Sequence, residues 1–239
     1  FEEVSKIISL FLTFVINKFA PYAIFCLLTR TFAIYGIDSL KPALAYVVTV
    51  IIALFVYLFC AYPIYLVTMA RVNPKPFMKK AAKVALFGFS TSSSAATLPL
   101  NKKTTTEELG VSDQIASFVL PLGMTINMDG TSIMQGVAVV FTAQAFGIHL
   151  SMMDYATVIG TATLASIGTA GVPSVGLITL TMVFNSVGLP VEGIALIMGI
   201  DRILDMTRTA VNITGDAVCT TVVASMNKAV DRDIYYGRK

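Results

Sequence analysis

The sequence predicts an all-α membrane protein, in which transmembrane helices combine with two re-entrant helical hairpins and two broken helices in an inverted repeat. Three observations carry that expectation. Of 239 residues, 56% are hydrophobic and 13% charged, whereas a soluble domain carries about 25% charge. Residues 42–70 contain no charged side chain, and their length suffices to cross a hydrocarbon core of about 30 Å. Residues 155–191 are also uncharged, but Gly, Pro, Ser and Thr interrupt them repeatedly. Such a stretch reads better as a pair of broken or re-entrant segments than as one span.

The elements follow in order. Residues 5–35 read as one long helix, kinked near Pro21 and Tyr22 because proline lacks the N–H that a helix needs. Residues 1–36 form one unit and residues 37–239 a second. A second membrane helix occupies 37–70, and Asn73-Pro74-Lys75-Pro76 then signals a turn. Residues 77–108 have charged flanks on both ends and Ser90–Ser94 near the middle, so they should dip into the membrane and return as hairpin one. Residues 112–150 rise across it but are broken at Asn127-Met128-Asp129-Gly130-Thr131. Residues 152–187 form hairpin two, with a tip at 168–176. The last helix covers 191–226, and 227–239 is a tail. Hairpin and broken helix thus occur twice, the first pair starting inside and the second outside. That order is the signature of an inverted repeat, with a substrate site near the midplane.

The net charge is +3, and the basic residues are unevenly placed. Arg71, Lys75, Lys79, Lys80, Lys83, Lys102, Lys103, Lys228, Arg232, Arg238 and Lys239 flank one set of connections. The opposite connections (36–41, 147–154 and 188–192) hold Lys41 alone. By the positive-inside bias the basic side is cytoplasmic. This predicts a multi-pass protein of the plasma (cell inner) membrane with a cytoplasmic C-terminus and the lipid bilayer as partner. The basic tail is an orientation signal, not a nucleic-acid site. Cys26, Cys60 and Cys219 are isolated, with no CxxC spacing, and read as small core residues. The chain opens FEEVSK, without an initiator methionine or signal peptide, as a fragment of a longer polypeptide would.

Within the last helix, Asp201, Asp205, Arg208, Asn212 and Asp216 are spaced by four, three, four and four residues. At 3.6 residues per turn they form one stripe. A solvated ladder of ion pairs is the bland explanation. Against it, a charge at mid-membrane costs about 2.5–3.5 kcal/mol, so ionisable residues there mark a ligand path. Arg208 offers a planar fork for a carboxylate. Asp205 can accept from an ammonium, Asn212 can serve the α-carboxylate and ammonium region, and Thr209 adds a hydroxyl. Asp216 lies about 12 Å along the helix from Arg208, too far to share that group; it is better placed as a cation ligand. Sodium is a hard cation that favours oxygen. Unwound backbone at 123–131, with Gly123, Thr125, Asn127, Met128, Asp129 and Thr131, can supply carbonyl, hydroxyl, amide and carboxylate oxygens.

These pieces together resemble the dicarboxylate/amino acid:cation symporter family, which includes the glutamate transporters. The matching strings are Ser92-Ser93-Ser94-Ala95-Ala96-Thr97-Leu98-Pro99, Asn127-Met128-Asp129-Gly130-Thr131, SIGTAGVPSVG over 166–176, and Asp205-Met206-Thr207-Arg208-Thr209 through Gly215-Asp216. The resemblance covers essentially the whole chain. It implies sodium-coupled symport of aspartate or glutamate by an alternating-access, elevator-type mechanism in a homotrimer, with 1–36 in a scaffold, 37–239 as the transport domain, sodium ions co-transported and no enzymatic activity. Ser93 and Ser94 would meet the substrate from hairpin one, while Val172, Pro173 and Gly176 would gate it from hairpin two. Thr131 and Arg208 would hold the side-chain carboxylate, Asp205 and Thr209 the ammonium, and Asn212 the α-carboxylate region. One sodium site would use Gly123, Asn127, Asn212 and Asp216. A second would use Thr125, Met128 and carbonyls near Ser166, Ile167 and Thr169. A third would use Asn127 and Asp129 with an earlier helix.

Departures from the family pattern are also visible. Nothing matches its further N-terminal spans. Ser92 stands where some members have arginine, and Arg202 appears instead in the last helix. Gln135 stands where proton-coupled animal members have glutamate, and an amide carries no titratable proton. Rival readings within the class are carriers of C4-dicarboxylates, cystine or neutral amino acids; Asp205 beside Arg208 argues against the first. Outside the class stand an ion channel and an intramembrane serine hydrolase built on Ser92–Ser94 and Asp129. The latter has no base, since the one histidine, His149, falls in a predicted outer connection.

Overall fold

In a computed structural model, residues 40–198 and 200–238 are described, together with isolated positions before them. The expected kinked helix at the start falls outside this range. The described residues form helices joined by short turns, with no β-strand among them; one isolated bridge pairs Val111 with Val230.

The first long helix runs from α1 (Leu40–Val56) through a π turn (Tyr57–Ala61), α2 (Tyr62–Tyr65) and a second π turn (Leu66–Ala70). Over Ala43–Ala70 its mean hydropathy reaches 2.6, long and apolar enough to cross a membrane. Val48, Ile52, Phe55 and Phe59 on its outer face are exposed, whereas Tyr46, Val50, Leu54 and Tyr62 are buried. The π turns were not legible in the sequence. They flank Pro63, which cannot donate to the helical ladder, and Tyr62 N–H reaches back to the Tyr57 carbonyl instead.

Hairpin one consists of α3 (Pro74–Thr91), a tip at Ser92 and Ser93, α4 (Ser94–Lys103) and a π turn (Thr104–Glu108). Asn73 caps α3 by accepting from Lys75 N–H, with Pro74 at the position that needs no donor. Ser92 closes α3 in the left-handed region at φ 52°, and Ser93 caps α4 through Ala96 N–H. The broken helix is α5 (Asp113–Ile126) and α6 (Asp129–Ala145), parted at Asn127 and Met128. Hairpin two is α7 (Met152–Ile167), a tip over 168–174 and α8 (Val175–Ser186). A capping box of Ser151 and Asp154 starts α7.

The last helix, expected as one piece over 191–226, is two: α9 (Gly193–Met198) and α10 (Asp201–Met226). The break brings Asp201 into the first turn of α10, where a carboxylate is favoured by the helix dipole. Helix α10 is the hub, packing against the first span, hairpin one and both halves of the broken helix. Three successive carbonyls in its middle each receive a side-chain donor from a different element. Tyr62 Oη serves Val211 (3.0 Å), Asn127 Nδ2 serves Asn212 (3.3 Å) and Asn101 Nδ2 serves Ile213 (3.0 Å).

The end of the chain, α11 (Arg232–Tyr236), is clasped to the base of hairpin one. Lys80 Nζ donates to the carbonyls of Glu108 (2.7 Å), Ile234 (2.9 Å) and Tyr235 (2.7 Å). Tyr235 Oη donates to the Asn73 carbonyl at 2.8 Å; burial raises the pKa of this phenol, so it keeps its proton. The cysteines depart from expectation, since Cys26, Cys60 and Cys219 are all exposed rather than core residues. Cys60 lies in the apolar span, whose outer face tolerates a small, weakly polar thiol.

Candidate substrate and cation site

Arg208 is 2% exposed and makes two ion pairs along its own helix. Its NH1 meets Asp201 Oδ1 at 2.9 Å and its NH2 meets Asp205 Oδ1 at 2.6 Å. Two carboxylates against one buried guanidinium leave a local excess of one negative charge, and the exposed Arg202 stands 3.9 Å from Asp205 Oδ2 at the rim. Spacing puts Asp201 on the stripe without assigning it a role. Its partnership with Arg208, two turns away, was the signal missed.

The hairpin tips close over this group. Ser174 N–H, at the end of the second tip, donates to Asp205 Oδ2 at 3.1 Å. The Gly171 carbonyl accepts from Ala95 N–H at 3.1 Å and from Ser93 Oγ at 3.0 Å, which ties tip to tip. Between them lies a small polar cavity, faced by Ser94, Thr131, Val172, Gly176, Asp205, Arg208, Thr209 and Asn212 of the anticipated substrate set, with Met128 and Thr169. Its volume of about 20 Å³ is close to that of one water. The two tips therefore leave room for little more than one water between them. Ser93 and Pro173 do not face the cavity. Ser93 is spent on the tip-to-tip bond and Pro173 is exposed. Ser92 faces it instead, and its buried hydroxyl has no partner among the described residues. Gly176 permits the closure, since a Cβ there would lie 3.2 Å from Arg208 Cζ.

Asn212 joins this cavity to the broken helix. Its Oδ1 accepts from Gly130 N–H at 2.7 Å, and its Nδ2 donates to Met128 Sδ and Thr131 Oγ1, each at 3.2 Å. One turn on, buried Asp216 accepts from Asn127 Nδ2 at 3.0 Å. A Cβ on Gly123 would lie 2.9 Å from Asp216 Oδ1, so glycine is what lets helix α5 approach the carboxylate. Gly123, Asn127, Asn212 and Asp216 are thus brought together. Asp129 accepts from Tyr62 Oη at 3.1 Å; Tyr62 comes from the first span, and no local sequence pattern points to it. Of the remaining cation candidates, Thr169 N–H donates to the Ser166 carbonyl at 3.2 Å. The hydroxyls of Thr125, Ser166 and Thr169 each bond a carbonyl three or four residues back, at Leu122, Thr163 and Ala165, and Ile167 is exposed. Gln135 is buried and donates to Thr179 Oγ1 at 2.8 Å, linking α6 to hairpin two.

The model of the sodium:dicarboxylate symporter family matches residues 1–226. The chain belongs to that family. An excitatory amino acid transporter of Caenorhabditis elegans is 40% identical over 213 residues, which cover 88% of this chain and 42% of the relative. Excitatory amino acid transporter 2 of Homo sapiens is 38% identical over 220 residues, covering 91% and 38% respectively. Excitatory amino acid transporter 3 of Mus musculus is 43% identical over 183 residues, covering 77% and 35%. The chain spans about two fifths of the length of the curated relatives it matches. Family and relatives are transporters, not enzymes.

Proposed function

We propose that this chain carries the substrate and sodium sites of a sodium-coupled symporter for aspartate or glutamate. The observation that carries the reading is a fully buried guanidinium, flanked by two carboxylates and enclosed by two hairpin tips. Such a site is complementary to a zwitterion with an extra carboxylate. The Arg208 fork grips the side-chain carboxylate with Thr131, and Asp205 and Thr209 take the ammonium. Asn212 and Ser94 at the hairpin-one tip take the α-carboxylate, joined by Ser93 once its bond to the Gly171 carbonyl opens. Val172, Pro173 and Gly176 carry the gate on hairpin two.

Sodium is cargo. One ion is held by Gly123, Asn127, Asn212 and Asp216; a second by Thr125, Met128 and the carbonyls at Ser166, Ile167 and Thr169; a third by Asn127 and Asp129. Both hairpins are re-entrant, and the two hairpin–broken-helix pairs form an inverted repeat. Transport proceeds by alternating access, the whole unit sliding as an elevator against a scaffold in a homotrimer of the plasma membrane, with the C-terminus cytoplasmic. Here Arg208 is satisfied by Asp201 and Asp205, so substrate must exchange for part of that pairing. The exchange supplies specificity, because a ligand without a carboxylate leaves nothing to replace it.

The test is uptake of radiolabelled aspartate by the full-length protein in liposomes. Accumulation that requires an inward sodium gradient supports the proposal; unchanged uptake when potassium replaces sodium rejects it.

A further inference from the structure

Tyr62 belongs to no set read from the sequence, yet its hydroxyl stands where three elements meet. The residue is 1% exposed, and its oxygen lies 3.1 Å from Asp129 Oδ2 and 3.0 Å from the Val211 carbonyl. A phenol carries one proton, so these two acceptors compete for it. The approach is built into the fold. A Cβ on Gly215 would lie 2.4 Å from the Tyr62 oxygen, so no larger residue fits beneath it. The π turn before Tyr62 sets its rotation about the span, and the Tyr57 ring packs edge-on against it at 5.1 Å. Among the described residues, Asp129 has no basic partner.

We propose that Tyr62 is a positioning residue for the cation ligand Asp129. Its hydroxyl donates to Asp129 Oδ2 while the carboxylate is without a cation. When sodium is held there, the proton turns to the Val211 carbonyl and leaves a lone pair beside the ion. The phenol thus stabilises an anion in a low-dielectric setting without supplying a competing charge, which a lysine or arginine would do. This rests on the reading of sodium as cargo.

The experiment follows sodium binding to the purified full-length protein without substrate, by bound radioactive sodium and by the sodium-dependent rise in melting temperature. Tyr62→Phe should need roughly three- to tenfold more sodium for half-maximal binding, because the oxygen lost from the ion outweighs the donor lost from the free carboxylate, while aspartate affinity at saturating sodium stays within about twofold. In an Asp129→Asn background, Tyr62→Phe should add no further shift, because the pair acts as one unit. An unchanged sodium isotherm in Tyr62→Phe overturns the proposal, as do shifts that add in full. A loss of aspartate affinity equal at all sodium concentrations overturns it too. Tyr62→Leu gives the same readings if the phenylalanine variant does not accumulate. A wild-type protein with no sodium dependence at all would instead sink the proposed function.

Discussion

Arg208 and Asp201 stand two helical turns apart on α10, joined by a buried ion pair of 2.9 Å rather than set on a solvated face. Removing Asp201 loses a charge-assisted hydrogen bond, about 1.5–3 kcal/mol, while Asp205 still pairs with the guanidinium. Asp201→Ala should therefore lower the melting temperature of the full-length protein, and Asp201→Asn, which keeps an acceptor, should lower it less. Thermal melts in detergent measure both. An alanine variant as stable as wild type contradicts the structural weight given to this pair.

Arg208→Ala removes the donors to substrate and leaves Asp201 and Asp205 facing each other. Charge-assisted hydrogen bonds contribute about 1.5–3 kcal/mol each, so two of them amount to roughly a hundredfold or more in affinity. Binding of aspartate to Arg208→Ala should be undetectable by calorimetry, and Arg208→Lys should recover only a small part of it. A lysine variant with full affinity would show that the planar fork is not what selects the ligand.

Glycines in the two halves of the broken helix give opposite expectations. A Cβ on Gly123 meets Asp216 Oδ1 at 2.9 Å, while one on Gly136 meets nothing within 4 Å. Gly123→Ala should push the carboxylate aside and raise the sodium concentration needed for half-maximal binding. Gly136→Ala should leave sodium dependence alone and stabilise α6 by about 0.5–1 kcal/mol. Sodium titrations read by melting temperature separate the two; equal behaviour counts against a cation site at Asp216.

Asn212→Leu strips the acceptor from Gly130 N–H and the donor from Thr131. An orphaned buried N–H costs about 1–3 kcal/mol, so both stability and substrate affinity should fall. Asn212→Asp keeps the acceptor for Gly130 N–H and can accept from the Thr131 hydroxyl, but it buries a charge, so stability should return only in part. Comparing melting temperature with aspartate affinity in the two variants distinguishes the roles.

Lys80 holds three carbonyls that end hairpin one and the chain. Lys80→Met keeps the apolar stem but loses the ammonium, and residues 229–238 should exchange their amide hydrogens faster. Hydrogen-exchange mass spectrometry reads that segment directly, and unchanged protection would show that the Val111–Val230 bridge and Tyr235 suffice.

Much of this was legible from spacing. The stripe from Asp201 to Asp216 sits on one α10 face because a helix repeats every 3.6 residues whatever packs around it. The break at Asn127 and Met128 and the tips at Ser92–Ser93 and 168–174 fall where Gly, Ser, Thr and Asn interrupt apolar runs. What escaped is of another kind. The division of the last helix before Asp201 is marked by no proline, and the π turns around Pro63 shift the register of the span.

By itself the sequence determined that this is an apolar helical protein with an ionisable stripe and interrupted helices, because composition and period act locally. Tertiary structure alone decided that Tyr62 meets Asp129, that Ser174 meets Asp205 and that Gly171 receives Ser93. Those pairs are 67, 31 and 78 residues apart. Each depends on helix rotation and on close backbone approach at glycine, which no local pattern encodes.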